Sequence, residues 1–181
     1  MRRFVIVSGL PGSGKTTLAR RLAPALDLPL LDKDDILERL FEAKGIGDEA
    51  WRRTLSRQSD AIFQREAQAS NGAILTSFWR LPGMPADLGT PTDWLPALSD
   101  PLVQVYCSCD PATAAERYFR RTRHQGHLDA GASHPEVLAR IRSLSAFGYL
   151  EIGERVIVDT SHEPDLDEVV RQVRDAFNRP R

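Results

Sequence analysis

Five short runs of apolar and β-branched residues recur along the chain: FVIV at 4–7, LPLLD at 28–32, AILTSF at 73–78, LVQVYC at 102–107 and RVIVD at 155–159. Helix-length segments separate most of them, and strands alternating with helices predict a parallel α/β sheet. The first, third, fourth and fifth runs are nearly all apolar, which predicts strands covered by helices on both faces. Leu166, Val169, Val170, Val173 and Phe177 recur at helical spacing and predict a C-terminal amphipathic helix against one face of that sheet.

Other helices announce themselves by their ends. Asp110 followed by Pro111 predicts an N-cap with proline at the first helical position, and Ser133 with Glu136 has capping-box spacing, again with a proline just inside. HQGHLDAGA lies between these two helices. The stretch 81–101 carries five prolines and three acidic residues, which predicts an irregular excursion beyond the strand ends.

Between the first strand and the first helix stands Gly9-Leu10-Pro11-Gly12-Ser13-Gly14-Lys15-Thr16, which fits G-x-x-x-x-G-K-[ST] at every constrained position. Glycines let the backbone turn tightly and aim its N–H groups at phosphate oxygens. Lysine at the seventh place adds a positive charge on the outer phosphates, and the hydroxyl after it ligates Mg²⁺. Gly12, Ser13, Gly14, Lys15, Thr16 and Thr17 are therefore the expected nucleotide-binding residues, with Thr16 on the metal. An N-K-x-D segment that would select guanine is absent, because Asn71 precedes Gly72 and Asn178 precedes Arg179; ATP is the expected nucleotide. The third run ends LTSFWR without an acidic residue, so another carboxylate must complete the metal shell.

At 181 residues the chain suits one domain spanning 1–181. Its formal net charge of −1 gives no global field toward nucleic acid or an anionic membrane. The apolar stretch in MRRFVIVSGLPG is too short for a signal-peptide core or a spanning helix, which makes the cytoplasm the expected location. Cys107 and Cys109 are the only cysteines and read as two small hydrophobes on one strand face.

The segment GLPGSGKTTLARRLAPALDLPLLDKDDI resembles the small P-loop kinases that phosphorylate hydroxyls of metabolites or polynucleotide ends. These include shikimate and gluconate kinases, chloramphenicol phosphotransferase, zeta-type toxins and polynucleotide 5′-kinase domains, and the segment is most similar to their kinase-like P-loop ATPase relatives. The resemblance implies a three-layer α/β P-loop sandwich with a central parallel sheet of about five strands, helices on both faces and a helical lid at about 117–134. It implies ATP and Mg²⁺ as cofactors. In these families a carboxylate just past the second strand faces the substrate hydroxyl, often as D-x-D. Here Asp32-Lys33-Asp34-Asp35 stands at that place, so Asp32 becomes the metal or metal-adjacent carboxylate and Asp34 the base. Strand alternation would put Asp32 and Asp34 on one face. Asp34 or Asp35 could equally N-cap the helix that follows, and a cap and a reacting carboxylate can coincide.

By the same resemblance the lid supplies arginines to the phosphates. Arg117, Arg120 and Arg121 share a helix face by spacing and Arg123 follows; Arg117 and Arg123 are assigned to the nucleotide and Arg121 to catalysis alongside Lys15 and Asp34. A solvated helix face is the alternative for each. His124 and His127 read as lid-loop residues, since no third metal ligand lies near them. Arg80, at the end of the third run, either holds an anionic substrate group or sits at the surface. Arg52, Arg53 and Arg57 could reach phosphates from a helix that otherwise reads as amphipathic scaffold. The resulting expectation is a kinase of a small-molecule or nucleotide hydroxyl with no membrane role. An ATP-binding protein with a regulatory or assembly role is the alternative, and a polynucleotide 5′-hydroxyl or nucleotide sugar the alternative acceptor.

Overall fold

The computed structural model describes residues 2–99, 101–128 and 131–179. Its strands are β1 (Arg3–Gly9), β2 (Leu30–Asp32), β3 (Gly72–Thr76), β4 (Leu102–Ser108) and β5 (Glu154–Asp159). The helices are α1 (Lys15–Leu26), α2 (Lys33–Lys44), α3 (Glu49–Ala69), α4 (Pro111–Arg120), α5 (His134–Ser145) and α6 (Leu166–Asn178). All pairings between these strands are parallel, in the order β2-β3-β1-β4-β5. The predicted α/β class, central sheet and cap positions are therefore present: the Asp110 carboxylate accepts from the Ala112 and Thr113 amides, and Ser133 and Glu136 form the capping box.

Two apolar layers sandwich the sheet. On one face Val5, Val7, Val103 and Val105 meet Leu18 and Leu22 of α1 and Val169, Val170 and Val173 of α6. On the other, Phe4, Ile6 and Leu75 meet Phe63 and Ala67 of α3 together with Trp79, Trp94, Leu95 and Leu98. The loop after β3 is thus irregular in backbone, as its prolines predict, but it carries core side chains. Trp79 Nε1 donates to the Val7 carbonyl at 2.8 Å, so the loop is tied beneath the end of β1.

β5 departs from its apolar appearance. Val156 and Val158 are buried while Arg155, Ile157 and Asp159 are exposed, Ile157 by 61%. The expectation that both faces are covered fails here because β5 is an edge strand, and α6 covers only one of its faces. Sequence reveals the hydrophobicity of a strand but not its place in the sheet.

A third cluster packs α4 against α5 through Ala114, Ala115, Val137, Ile141 and Leu144, and Leu10 of the glycine-rich turn inserts into it. Between these helices the chain leaves α4 at Arg121 and makes one 3₁₀ turn over Gln125–His127. The segment at 117–134, where a helical lid is expected, is helical at its ends and in that single turn among the described residues; positions 129 and 130 lie outside them. The C-terminal ends of β1, β2 and β3 together with this segment surround the cleft where ligands of open parallel sheets bind.

Candidate active site

The glycine-rich turn runs from β1 into α1. Gly12 and Gly14 have φ of +80° and +85°, a region that L-residues avoid, so the sharp turn requires glycine at both. Gly14 is the N-cap residue of α1 and no side chain caps that end. The first amides of the helix and its positive dipole end are therefore presented to a ligand. Ser13 Oγ is buried with no protein hydrogen-bond partner. Lys15 Nζ donates back across the turn to Leu10 O at 2.9 Å, and burial pushes its pKa down to about 8. Uncapped amides, an orphaned buried hydroxyl and a destabilised half-buried cation are what an anion would complete, so these residues fit phosphate groups.

Opposite stands a pair of carboxylates. Asp32, the last residue of β2, N-caps α2 by accepting from the Asp34 amide at 3.0 Å. This corrects two expectations: the cap is Asp32 and neither Asp34 nor Asp35, and α2 begins one residue after β2 ends. Strand alternation therefore does not bring Asp32 and Asp34 together; the cap turn does. Burial, then the neighbouring Asp34 charge, raises Asp32 to about 6, with the Thr16 side chain opposing the rise. Among the described residues no three His, Cys, Asp or Glu side chains gather into a metal cage. A hydroxyl beside a crowded carboxylate nevertheless fits Mg²⁺, which takes few protein ligands and completes its shell with phosphate and water oxygens.

Asp34 lines the same cleft. Burial alone would raise its pKa, but the charges around it, Arg123 first, hold it below the ordinary carboxylate range. Arg123 Nη2 donates to Asp34 Oδ2 at 2.9 Å. Asp35 points elsewhere, 3.5 Å from Arg20 on the surface.

The lid arginines separate. Arg121 lines the cleft, and its guanidinium lies over the Tyr118 ring at 4.6 Å. It is the C-cap of α4 with extended backbone, so it does not continue the helical face shared by Arg117 and Arg120. Arg117 is turned away from the cleft: it donates to the carbonyls of Thr160 and Ser161 at 2.6 and 2.7 Å, fixing the loop after β5. Arg120 is exposed and pairs with Glu116. Thr17 is exposed on the first turn of α1, outside the cleft lining.

The cleft encloses about 790 Å³ and its far wall comes from α3 and the loop after β3. Lys33 Nζ donates to Ser56 Oγ at 2.9 Å and lies 3.6 Å from Asp60. Thr90 Oγ1 donates to Asp60 Oδ1 at 3.0 Å and so accepts from Ser77 Oγ at 2.7 Å. Arg80 lines this wall and donates to the Leu88 and Gly89 carbonyls, ordering the loop as it faces the cleft. Arg52, Arg53 and Arg57 line it too, so α3 is both scaffold and cleft wall. Lys33, Ser56, Asp60 and Thr90 were not singled out by sequence reasoning. The only signal was the adjacency of Lys33 to the two aspartates.

A family model described as an AAA domain matches residues 4–143, from β1 through the cradle, both carboxylates and the lid to α5. The chain belongs to this family. This AAA domain chain is 39% identical over 77 residues to the shikimate kinase of Corynebacterium glutamicum, a match covering 39% of this chain and 43% of that protein. Among solved structures it is similar to a candidate kinase of Chloroflexus aurantiacus, at 28% identity and TM-score 0.80, covering 97% of this chain and 98% of the other. A shikimate kinase from Bacteroides thetaiotaomicron shares the fold at 19% identity and TM-score 0.60, with the same coverages. This AAA domain is thus a kinase-like P-loop protein. The aligned stretch spans less than half the length of the Corynebacterium relative.

Proposed function

We infer that the chain is an ATP- and Mg²⁺-dependent phosphotransferase acting on a hydroxyl of a small molecule. One observation carries this reading: Asp34 faces the cleft that Lys15 and Thr16 also line, with Oδ2 held by Arg123 and Oδ1 accepting no hydrogen bond among the described residues. An alcohol attacks poorly until its oxygen is aimed and its proton accepted, and an ionised carboxylate does both. In this reading Lys15 and the α1 amides hold the outer phosphates and Arg121 balances charge on the transferring group. Mg²⁺, held through Thr16 with Asp32 beside it, would neutralise charge developing between the phosphates. In this reading Arg117 serves the nucleotide indirectly, by fixing the Thr160–Ser161 turn that follows β5.

The far wall suggests the acceptor. Lys33, Ser56 and Asp60 offer donors and acceptors to hydroxyls, while Arg57 and Arg140 line the cleft with no protein partner among the described residues, which suits an anionic group. A hydroxylated acid or sugar phosphate meets both demands. The similarity to a protein named shikimate kinase makes shikimate the first acceptor to test. The experiment is ADP release from MgATP across hydroxylated acids, sugars, nucleosides and a 5′-hydroxyl oligonucleotide, with transfer verified on the product. Acceptor-dependent ADP release with a phosphorylated product is expected. Tight MgATP binding with no acceptor raising ADP release above the acceptor-free rate would overturn the reading in favour of a nucleotide-state switch.

A further inference from the structure

The lid segment is docked on α2 by contacts that the phosphate chemistry does not require. Gly126 lies flat on Phe41, where an added Cβ would come 2.4 Å from a ring carbon. His124 stacks on the same ring with centroids 5.4 Å apart, and His127 meets its edge at 5.6 Å. From α3, Arg52 Nε donates to the His127 carbonyl at 3.0 Å. The His127 side chain is only 1% exposed.

The ring is held at both nitrogens. Nδ1 lies 2.9 Å from Arg123 Nη2 and Nε2 lies 2.9 Å from Glu38 Oε1. Arginine can only donate, so Nδ1 accepts; the proton of the neutral ring is then on Nε2 and is donated to Glu38. Arg123 Nη2 turns from this ring nitrogen directly to Asp34 Oδ2. The result is one chain of directed hydrogen bonds, Asp34 from Arg123 to His127 to Glu38, joining α2 to the lid and back.

We propose that His127 is a positioning residue: as a neutral Nε2–H imidazole bridging Glu38 and Arg123, it fixes the guanidinium on Asp34 Oδ2 and so leaves Oδ1 aimed into the cleft while the lid is docked. The role rests on Asp34 acting on the acceptor hydroxyl. A protonated ring would turn an N–H toward a guanidinium that has nothing to accept it, and would set two cations side by side. Among the described residues, the charged groups facing the ring or its backbone are Glu38 and Asp34 from α2, Arg123 from its own segment and Arg52 from α3. Burial and Arg123 hold the ring below its ordinary pKa, against the pull of Glu38 and Asp34. Docking is then complete above the ordinary value of 6.5 and weakens as pH falls below it, because the undocked ring takes up the proton more readily.

The test separates tautomer, docking and catalysis. Nitrogen-15 spectra of the nucleotide-free protein at pH 7.5 should show His127 as the Nε2–H tautomer. Hydrogen exchange of residues 121–128 should show protection at pH 7.5 that falls by about tenfold at pH 5.5, after correction for intrinsic exchange. His127→Gln keeps one acceptor for Arg123 and one donor for Glu38 without titrating, so its protection should stay near wild type at both pH values. His127→Leu fills the site and keeps neither bond, so its protection should be low at both. With the acceptor identified by the screen above, His127→Leu should lower kcat by about tenfold or more with KM for ATP unchanged, and His127→Gln should restore it. An Nδ1–H tautomer, wild-type protection in His127→Leu, or equal damage in Gln and Leu variants would overturn the proposal. Failure of the kinase reading looks different: no acceptor is phosphorylated while the tautomer and exchange results stand.

Discussion

The glycine-rich turn contains two glycines with nearly the same φ and opposite surroundings, and substituting each by alanine should separate folding from ligand binding. At Gly12 a Cβ would lie 2.0 Å from the Ala114 carbonyl oxygen and 3.1 Å from Tyr118 Cβ, against backbone of α4 that is itself clamped on α5. At Gly14 an added Cβ meets nothing within 4 Å. The left-handed backbone costs an alanine roughly 1–2 kcal/mol at either position. Gly12→Ala adds an overpacking cost of roughly 1–3 kcal/mol, since a helix carbonyl cannot rotate away. For a chain of this size each kcal/mol is worth about 2–4 °C, so Gly12→Ala should lower Tm by roughly 4–20 °C and Gly14→Ala by roughly 2–8 °C. The response to nucleotide should run the other way. A methyl on Gly14 enters the open space at the start of α1, so saturating MgATP, which stabilises a competent protein by about 3 kcal/mol at a hundredfold excess over Kd, should raise Tm of Gly14→Ala little or not at all. Thermal unfolding with and without MgATP reads all four values. Equal losses without nucleotide, or a wild-type MgATP increment in Gly14→Ala, would refute the assignment of the first glycine to packing and the second to the ligand.

Lys15 has a folded pKa of about 8 against an ordinary 10.5, so the unfolded chain binds more protons between these values. Ligand-free stability should therefore rise with pH from 8 toward 10.5, and MgATP binding near pH 8.5 should take up a proton, read as buffer-dependent heat in calorimetry and absent in Lys15→Ala. Asp34→Asn should keep nucleotide-induced stabilisation and lose about 10² to 10⁴ in acceptor phosphorylation, while Asp35→Asn, on the exposed Arg20 side, stays near wild type; the reverse pattern would move the base by one residue. Arg121→Ala should lower kcat by about 10³ with modest change in ATP affinity. Arg117→Ala should instead weaken ATP affinity through the released Thr160–Ser161 turn and leave kcat near wild type, and equal kcat losses in the two variants would contradict their separate placement.

What could be read from sequence was what is local. The glycine-rich turn expected to cradle phosphate is eight consecutive residues whose spacing states its geometry, and the caps at Asp110 and Ser133 are local for the same reason. Asp32 and Asp34 were legible as a pair through resemblance, but the reason given for their proximity was wrong, because a single-residue passage from strand to helix replaces alternation with a cap turn. The far wall and the lid latch were not legible. Glu38 and His127 are 89 residues apart, and Thr90 and Asp60 are 30 apart; nothing in either neighbourhood announces the other. Arginines on α3 line the cleft, and the helical period cannot distinguish that from open solvent. The open face of β5 was missed because strand order is set by how the whole chain packs.

In the proposed function, the two perturbed groups of the glycine-rich turn and β2 give a reason for nucleotide and metal to bind together. Lys15 is pushed down to about 8 and Asp32 up to about 6, and in each the largest cause is burial without a sufficient counter-charge. The displacements have opposite senses: Lys15 lacks an anion and Asp32 lacks a cation. Asp34 and Asp32 offset the burial of Lys15 only in part: the Lys15 ammonium donates to the Leu10 carbonyl, and the Asp32 carboxylate caps α2 beside the like charge of Asp34. A bare triphosphate would relieve the lysine while adding repulsion to the aspartate pair, and a bare divalent cation would do the opposite. Only a ligand that brings both signs in fixed order, phosphate toward α1 and cation toward Asp32, relieves the two at once. Under the proposed function, a preference for a metal-bound nucleotide would follow from where the fold has left these charges unbalanced, before any contact to the base is considered.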